Sequence, residues 1–376
     1  MASTAALIIV LSAFNGIQEF VVSNFNRFNP PLKIEAKEGK IISDNEFRVS
    51  GFELENVDGV KAVEPVISDM ALVTYNEKQI LSTVYGVSER YPVLSGLDAT
   101  TIDGTFDTGT ENGLVFGAGI AGLLGIELND FVPIKLYYPK RNKKNLANPM
   151  DAFQMCYAFP VGVFASYTPY DENALFLPIS LAKELLDYDN EVSYIAIYLD
   201  DEATNEKVQK KLIQAVGDDF IVQNQMQQEA LMFKTIKSEN LVVYLILGFI
   251  FVIATFNIMG ILGMLIIEKK QDISILHTLG ASKAFLKKIF IIVGSMIGIT
   301  GGLSGMCIGL ICCLIQLRFG VITLGNAESN FSISAYPVSL DIKDFIIVFP
   351  IVILISLLSS RLSLRGLNKI VLKNKY

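Results

Sequence analysis

The stretch LVVYLILGFIFVIATFNIMGILGMLII, at Leu241–Ile267, carries no charged side chain from end to end. A bilayer core is about 30 Å thick, so a helix that crosses it needs about 20 apolar residues. The stretch is long enough, and it predicts a transmembrane helix. The whole chain has 376 residues, is 51% hydrophobic and has a mean hydropathy of +0.45. This composition indicates a membrane protein rather than a soluble enzyme.

Three further segments are apolar enough to be considered as spans. Ile289–Leu317 is long enough to cross the bilayer. Residues 343–360 are also long enough, and their Pro350 does not argue against a span because proline is tolerated in membrane helices. Residues 1–23 include polar side chains, and only a few residues precede their apolar run. They lack a basic leader and a small-residue cleavage site, so a helix is expected rather than a cleaved signal peptide. We expect the written start to lie inside a longer first helix, which is therefore truncated here.

The basic residues near the span ends predict the orientation. Residues 268–288 carry five Lys against two acidic residues, and residues 361–376 carry five basic residues and no acid. Basic loops stay in the cytoplasm, which places residues 318–342 and the large segment 24–240 outside. The predicted order is span 1–23, outer domain 24–240, span 241–267, cytoplasmic segment 268–288, span 289–317, outer loop 318–342, span 343–360 and cytoplasmic tail 361–376.

The outer segment has the pattern of an ordinary folded domain. Alternating residues predict strands at Val63–Val73, Glu77–Val87 and Met155–Phe164, and Thr204–Val216 predicts an amphipathic helix. The fold class is therefore a membrane protein with four transmembrane α-helices and a large α+β outer domain of two subdomains. Residues 24–54 and 175–237 are expected to form one subdomain, with the residues between them inserted as the other.

The same patterns predict the shorter elements of this domain. Residues 52–60 suggest a helix, residues 96–104 a turn-rich segment, and residues 130–138 a strand. Residues 112–124 suggest a strand that turns into a short helix. Pro139–Gln154 has four basic residues among its first six and no periodicity, which indicates a protruding loop.

Several kinds of chemistry find no support in the sequence. No phosphate-binding loop motif occurs, and His277 is the single histidine. Cys156 is the single cysteine of the outer segment, so that segment cannot form an internal disulfide. Residues 1–267 hold 19 basic and 33 acidic side chains, which argues against a nucleic-acid partner. We predict no catalytic residue, no metal site and no cofactor in this chain.

Glycines recur at helical spacing in the third apolar segment. Gly294, Gly298 and Gly302 form one register, and Gly301, Gly305 and Gly309 form a second. Small residues four apart let helices approach closely. Packing within the chain and contact with a second subunit both remain open, and the first is favoured.

The segment EKKQDISILHTLGASKAFLKK, at residues 268–288, follows the second span directly. Ile273, Ile275, Leu276 and Leu279 give it an apolar face, and Gly280 is placed to end a helix. Ser282 can cap the next helix. The result is a short amphipathic helix under the membrane. It could rest on lipid, or it could fit into a groove on a soluble partner.

This segment resembles the cytoplasmic coupling segment of the FtsX/MacB-like permeases of ABC transporters. Within that group the chain is most similar to the lipoprotein-releasing permeases. The similarity includes ALIIVLSAFNGIQE at Ala6–Glu19, the stretch from Phe176 to Asp201, and Tyr336–Pro337–Val338 before the last span. It runs along essentially the whole chain.

The resemblance implies a location and a set of partners. The chain would lie in a bacterial inner membrane, with its large domain in the periplasm. It would pair with a second permease subunit, identical or paralogous, and with a cytoplasmic ATPase dimer that binds ATP and Mg. A lipoprotein would enter from the membrane lipid, between the first two helices, and pass to a periplasmic carrier protein.

The resemblance and the residue pattern together give three sets of candidate site residues. The ATPase-coupling set is Glu268, Lys269, Gln271, Asp272, Ile275, Leu276, Leu279 and Gly280. The carrier-binding set, which could instead be a solvated loop, is Lys140, Arg141, Lys143, Lys144 and Pro149. The substrate-cavity set, whose aromatic members could instead face lipid, is Phe14, Phe249, Phe256 and Met259.

Other functions remain as alternatives. A related permease could export a small lipophile or peptide. A signal relay to a cell-wall hydrolase is disfavoured, because the outer domain in such members is much shorter than residues 24–237. A hydrolase that uses carboxylates alone is the weakest alternative, because the paired acidic residues at 200–201 and 218–219 lie next to turns.

Overall fold

A computed structural model describes residues 1–39, 41–43, 54–128, 132–140, 152–200, 204–323 and 335–363. The chain divides into two compact units. One contains Met1–Phe20 with Lys234–Tyr376, and the other contains Val21–Phe233. We call them the membrane unit and the outer unit.

Helices and strands follow one another along the chain. The helices are α1 Ala2–Phe28, α2 Tyr91–Ser95, α3 Ala118–Leu124, α4 Tyr170–Asn173, α5 Ile179–Leu186, α6 Asn205–Val216, α7 Gln225–Gln228, α8 Ala230–Glu268, α9 Lys270–Thr278, α10 Lys283–Phe319 and α11 Ile342–Ser363. The strands are β1 Leu32–Ala36, β2 Ile42–Ser43, β3 Val60–Tyr75, β4 Lys78–Val87, β5 Thr101–Gly104, β6 Gly113–Gly117, β7 Ile134–Pro139, β8 Phe153–Phe164, β9 Ala174–Pro178, β10 Glu191–Val192, β11 Tyr194–Leu199 and β12 Phe220–Asn224.

Four described helices are long and apolar enough to cross a membrane. They are α1, α8, α10 and α11, which confirms the four predicted spans. Each helix extends beyond the apolar segment that predicted it. The extension is largest at α8, which begins at Ala230 although its apolar run begins at Leu241.

Glycines of α10 let two other helices of the membrane unit come close. A Cβ atom at Gly294, Gly298 or Gly302 would lie within 2.3 Å of a side chain on α11. A Cβ atom at Gly305 or Gly309 would meet the first residues of α1, within 2.9 Å. Both glycine registers are therefore used for packing within the chain, as favoured by the sequence.

The outer unit is built on one curved sheet. Its strand order is β12-β1-β11-β3-β4-β9-β6-β8-β5, and β7 pairs with both β3 and β8. The 16 residues of β3 join the two halves, because its first half pairs with β11 and its second half with β4. The two predicted subdomains thus share a strand and form a single compact unit.

The predicted boundary between the subdomains was wrong at Leu175. Strand β9 pairs in parallel with β4 and antiparallel with β6, in the middle of the sheet. Helix α5 follows it, and its buried Leu181, Leu185 and Leu186 join the core under β3, β4, β7 and β8. Every residue of β9 is buried. The return to the first subdomain therefore comes later, at β11.

Most other element predictions are confirmed with shifted ends. Gly217, at φ +81°, ends α6 as expected. The predicted helix at 52–60 is wrong over its described part, since residues 54–60 contain a 3-10 turn at Leu54–Asn56 and the start of β3. Residues 101–104 form β5 where a turn was expected. Of the predicted loop 139–154, Pro139 belongs to β7 and Phe153 and Gln154 belong to β8, whereas residues 141–151 lie outside the described residues.

Candidate functional site

The cytoplasmic turn between α8 and α10 contains a short separate helix. Helix α8 ends at Glu268 and α9 begins at Lys270, so the helical direction changes at Lys269. The Lys269 amine lies 3.2 Å from the Asp272 carboxylate, an exposed pair one turn apart. Such an exposed pair contributes little stability, so both charges remain available to a partner.

The apolar residues of α9 have two different roles. Ile273 is 5% exposed and packs with Ile266, Leu286 and Phe290 of the adjoining spans. This residue was predicted to share one face with the other three, and that prediction was wrong, because Ile273 anchors α9 to its own chain. Ile275, Leu276 and Leu279 are 58%, 41% and 79% exposed.

The end of α9 is fixed by its backbone. Gly280 has φ +99°, which glycine adopts without strain. The Gly280 amide donates to the His277 carbonyl, and the Ala281 amide donates to the Leu276 carbonyl at 3.0 Å. This is a Schellman ending. The Ser282 hydroxyl then accepts from the Phe285 amide and caps α10, as predicted.

The coupling residues predicted from the sequence thus lie together on one solvent-exposed turn. Glu268, Gln271 and Gly280 are exposed beside the three apolar side chains. The ends of α9 and the start of α10 are set by defined backbone and side-chain caps. A turn with exposed apolar side chains is suited to binding in a groove of another protein.

The predicted carrier-binding residues are only partly described. Lys140 is half-buried at the end of β7, and its amide donates to the Ala152 carbonyl at 2.8 Å. This bond closes the base of the loop that joins β7 to β8. Arg141, Lys143, Lys144 and Pro149 lie outside the described residues.

The predicted substrate-cavity residues are not all brought together. Phe14 lines a cavity of about 280 Å³ with Phe251. Phe249 and Phe256 are 71% and 67% exposed and line no described cavity. Residues three or four apart share a helix face, so the side of α8 that carries Leu247 and Phe251 is the one turned to the other spans.

A second cavity lies deeper among the same helices. Its volume is about 680 Å³, and its lining includes Phe251, Asn257, Ile258 and Gly298. Met259 lines neither cavity, and its carbonyl accepts a hydrogen bond from the Ser363 hydroxyl.

One polar contact inside the membrane unit was missed by the sequence reasoning. The Asn15 amide donates to the Asp344 carboxylate at 2.6 Å, joining α1 to the start of α11. Nearby, a Cβ atom on Gly16 would lie 2.4 Å from the Pro337 carbonyl, and the Ser339 amide donates to the Ser12 carbonyl. Each residue alone is unremarkable in the sequence; an acidic residue at the start of a span was the available signal.

In the outer unit, the last turn of α1 is inserted into an aromatic core. Phe28 is 5% exposed and stacks on Tyr170, with ring centres 4.2 Å apart and planes within 6°. Phe164 and Phe176 lie against the same ring. The aromatic core therefore holds the outer end of α1 firmly.

Hydrogen bonds join the same end of α1 to the approach to α8. The Gln225 amide donates to the Asn29 carbonyl at 3.0 Å, and the Gln228 amide donates to the Pro30 carbonyl at 3.0 Å. Glu229 sits in the break between α7 and α8 and accepts from both Asn29 and the Tyr170 hydroxyl. We call Asn29, Tyr170 and Glu229 the joint.

The pKa shifts agree with a partly buried joint. Burial raises the pKa of Tyr170, and neighbouring Tyr85 and Glu229 raise it further. The hydroxyl therefore stays protonated and serves as a donor. Burial also raises the pKa of Asp171, although hydrogen bonds from Ser166 and the following amides oppose the shift. Those bonds hold the loop that presents Tyr170.

Within the described residues, no group of three or more His, Cys, Asp or Glu side chains could hold a metal ion. The features that the structure does assemble are the exposed turn, the cavities among the spans and the joint.

Comparison with known proteins gives consistent matches. The family described as MacB-like periplasmic core domain matches residues 1–215, and that described as FtsX-like permease C-terminal matches residues 244–372. The lipoprotein-releasing system transmembrane protein LolE of Haemophilus influenzae is 25% identical over 319 residues, covering 84% of this chain and 76% of that protein.

A second relative and a solved structure are also similar to this chain. The lipoprotein-releasing system transmembrane protein LolC of Neisseria meningitidis is 27% identical over 317 residues, covering 81% of this chain and 73% of that protein. The periplasmic region of MacB from Actinobacillus actinomycetemcomitans is 14% identical, with a TM-score of 0.37, and covers 55% of this chain and 92% of that one.

Proposed function

Because the chain belongs to the permease family with a MacB-like periplasmic core domain and an FtsX-like C-terminal region, we propose that it extracts lipoproteins from the inner membrane for a periplasmic carrier. It is an inner-membrane ABC transporter permease with its large domain in the periplasm. The finer assignment is supported by relatives that are named lipoprotein-releasing proteins.

The observation that carries the proposal is the exposed apolar edge of α9. Ile275, Leu276 and Leu279 are presented on a capped turn between two spans, at the membrane face where Lys residues cluster. A cytoplasmic ATPase dimer would receive this edge and would hold ATP and Mg. The permease then needs no catalytic group of its own, and its motion is driven by the partner.

Lipoprotein release would also require that extraction be strongly coupled to ATP hydrolysis by the partner. A lipid anchor contributes about 0.8 kcal/mol for each CH₂ buried in the membrane, so extraction of several acyl chains needs an external energy source. A second permease subunit would complete the path through the membrane. The loop between β7 and β8 would contact the carrier through Lys140, Arg141, Lys143, Lys144 and Pro149.

Depletion of the chain in cells tests the assignment to lipoproteins. The expected result is that lipoproteins destined for the outer membrane accumulate in the inner membrane, measured by fractionation and immunoblotting. Correct sorting after depletion would refute the proposed cargo and would favour export of another lipophile. A crosslinker at Lys143 or Lys144 should capture a periplasmic carrier, and the same crosslinker at Lys211, on the exposed side of α6, serves as the control.

A further inference from the structure

The cavity of about 280 Å³ among α1, α8 and α11 has two chemically different ends. One end is polar and is lined by Asn15, Asn240, Tyr244 and Asp344. The remainder is apolar and is lined by Leu7, Leu11, Phe14, Val243, Leu247, Gly248, Phe251, Ile347, Val348 and Ile351. Such a distribution matches an amphiphile better than water or a polar solute.

The depth of the cavity corresponds to one leaflet. Asn240 immediately precedes the apolar run of α8, and Phe251 lies about 16 Å further along the helix at 1.5 Å per residue. That rise is about half of a bilayer core of about 30 Å. Asp344 is the third residue of α11 and lies at the same outer end. The cavity therefore occupies the outer-leaflet half of the spans.

The carboxylate at the polar end lacks a cationic partner among the described residues. Asn15 donates one short hydrogen bond to Asp344, whereas the neighbouring Lys343 amine pairs with Asp341 at 3.8 Å. An acidic side chain at a membrane helix is costly and is usually paired. Asn15 fixes the orientation of the carboxylate and leaves lone pairs free to accept from a ligand in the cavity.

We propose that this cavity binds an acyl chain of an outer-leaflet lipid whose head carries an N–H donor, and that Asp344 accepts a hydrogen bond from that donor. Two sources share this chemistry. An aminophospholipid supplies an ammonium, and the acylated N-terminus of a lipoprotein supplies an amide. The site itself does not depend on the proposed function; only the second source rests on it.

The absence of tryptophan from the chain makes the site directly measurable. Phe251→Trp places a single fluorescent reporter in the cavity wall. Phe249→Trp places the same reporter on the outward side of the same helix, where the native side chain is 71% exposed. The full chain in nanodiscs would be titrated with brominated phosphatidylethanolamine or brominated phosphatidylcholine, whose quaternary head has no N–H.

At the Phe251 position, the ethanolamine lipid is expected to quench more strongly than the choline lipid at equal mole fraction. At the Phe249 position, the two lipids should quench equally. Asp344→Leu should abolish the preference at the cavity reporter, and Asp344→Glu should retain part of it. If Asp344→Leu does not fold, Asp344→Ala gives the same comparison.

Equal quenching by the two lipids at the Phe251 reporter would overturn the proposal, as would a preference that survives both Asp344→Leu and Asp344→Ala. Competition then separates the sources. A short N-acylated lipopeptide that relieves quenching would identify the lipoprotein terminus as a ligand, whereas one that does not would leave the aminophospholipid as the occupant. Lipoprotein sorting in cells, measured separately, reports on the proposed function without depending on these lipids.

Discussion

Single residues of the outer unit fix the last turn of α1 and the residues that lead into α8. Tyr170 contributes twice, by stacking on Phe28 and by donating to Glu229. No local sequence pattern could have paired residues so far apart along the chain, although the tyrosine-rich composition of the strands was visible. The pairing depends on the tertiary path of β8, α4 and α7.

Tyr170→Phe keeps the stacked ring and removes the hydroxyl that donates to Glu229. The expected cost is about 1 kcal/mol of unfolding free energy, as for loss of one hydrogen bond. If the joint couples the spans to the outer unit, lipoprotein released per ATP hydrolysed should fall, while ATP hydrolysis itself persists. Both quantities can be measured in proteoliposomes with the partner ATPase.

The matched control for that variant is Tyr91→Phe, which alters another buried tyrosine of the same aromatic core, packed near Phe176. It should lower stability without changing the coupling ratio. Glu229→Gln, which keeps an accepting oxygen, should retain more of the coupling ratio than Glu229→Ala. Equal coupling in all of these variants would contradict a transmitting role for the joint.

The buried thiol of Cys156 gives a second prediction at this scale. Burial raises its pKa to about 11, with a smaller contribution from Glu184. Because the folded-state pKa lies above the ordinary value of 9.0, the thiol stays protonated at pH 8, and its contribution to stability declines between about pH 9 and 11.

A thiol reagent at pH 8 should therefore leave Cys156 unmodified in the folded protein and modify it fully after denaturation. Mass spectrometry of the peptide that contains residue 156 measures both states. The outward-facing Cys312, which is exposed, is the internal comparison in detergent. Rapid modification of Cys156 in the folded chain would contradict the described core.

At the scale of elements, glycine spacing predicted close packing correctly but could not identify the neighbours. Gly298 meets Ser356 of α11, whereas Gly309 meets Ile8 of α1. The presence of the transmembrane helices was predicted from the lengths of the apolar segments. The two registers face different helices because their positions differ around the circumference of α10, which a linear motif does not reveal.

Gly298→Leu tests this packing. A Cβ atom at this position would lie 1.9 Å from the Ser356 hydroxyl, so α10 and α11 must separate. We expect a loss of about 1–3 kcal/mol, typical of overpacking, seen as a lower melting temperature in detergent. Gly260→Leu is the control, because no atom lies within 4 Å of a Cβ atom there. A similar loss for both variants would contradict the described contact.

The exposed turn at residues 268–288 was the part of the candidate site that the sequence predicted best. Gly280 and Ser282 are local signals, and local signals determine caps. The assignment of Ile273 failed because periodicity shows that a residue is apolar without showing which neighbour covers it. Phe14 does line a cavity, but Phe249 lines none of the described cavities for the same reason, since Phe249 and Phe251 differ only in the face of α8 that they occupy.

At the scale of the whole molecule, the membrane topology could be predicted from the basic residues and the lengths of the apolar segments. The strand order of the sheet in the outer unit could not be predicted from the sequence. Strand β9 inserts between β4 and β6, a long-range arrangement that alternating residues cannot encode. The account of function depends instead on the cytoplasmic side. Under the proposed function, a partner ATPase would drive this inner-membrane permease through the turn between α8 and α10.

The most direct test is co-purification of the affinity-tagged chain with its cytoplasmic ATPase after Ile275→Asp and Leu276→Asp. Ile213→Asp is the control, since it makes the same chemical change at an isoleucine of α6 that is 51% exposed. We predict that the double variant loses the ATPase while Ile213→Asp retains it, with both chains at normal levels in the membrane. An ATPase that remains bound to the double variant would contradict the account.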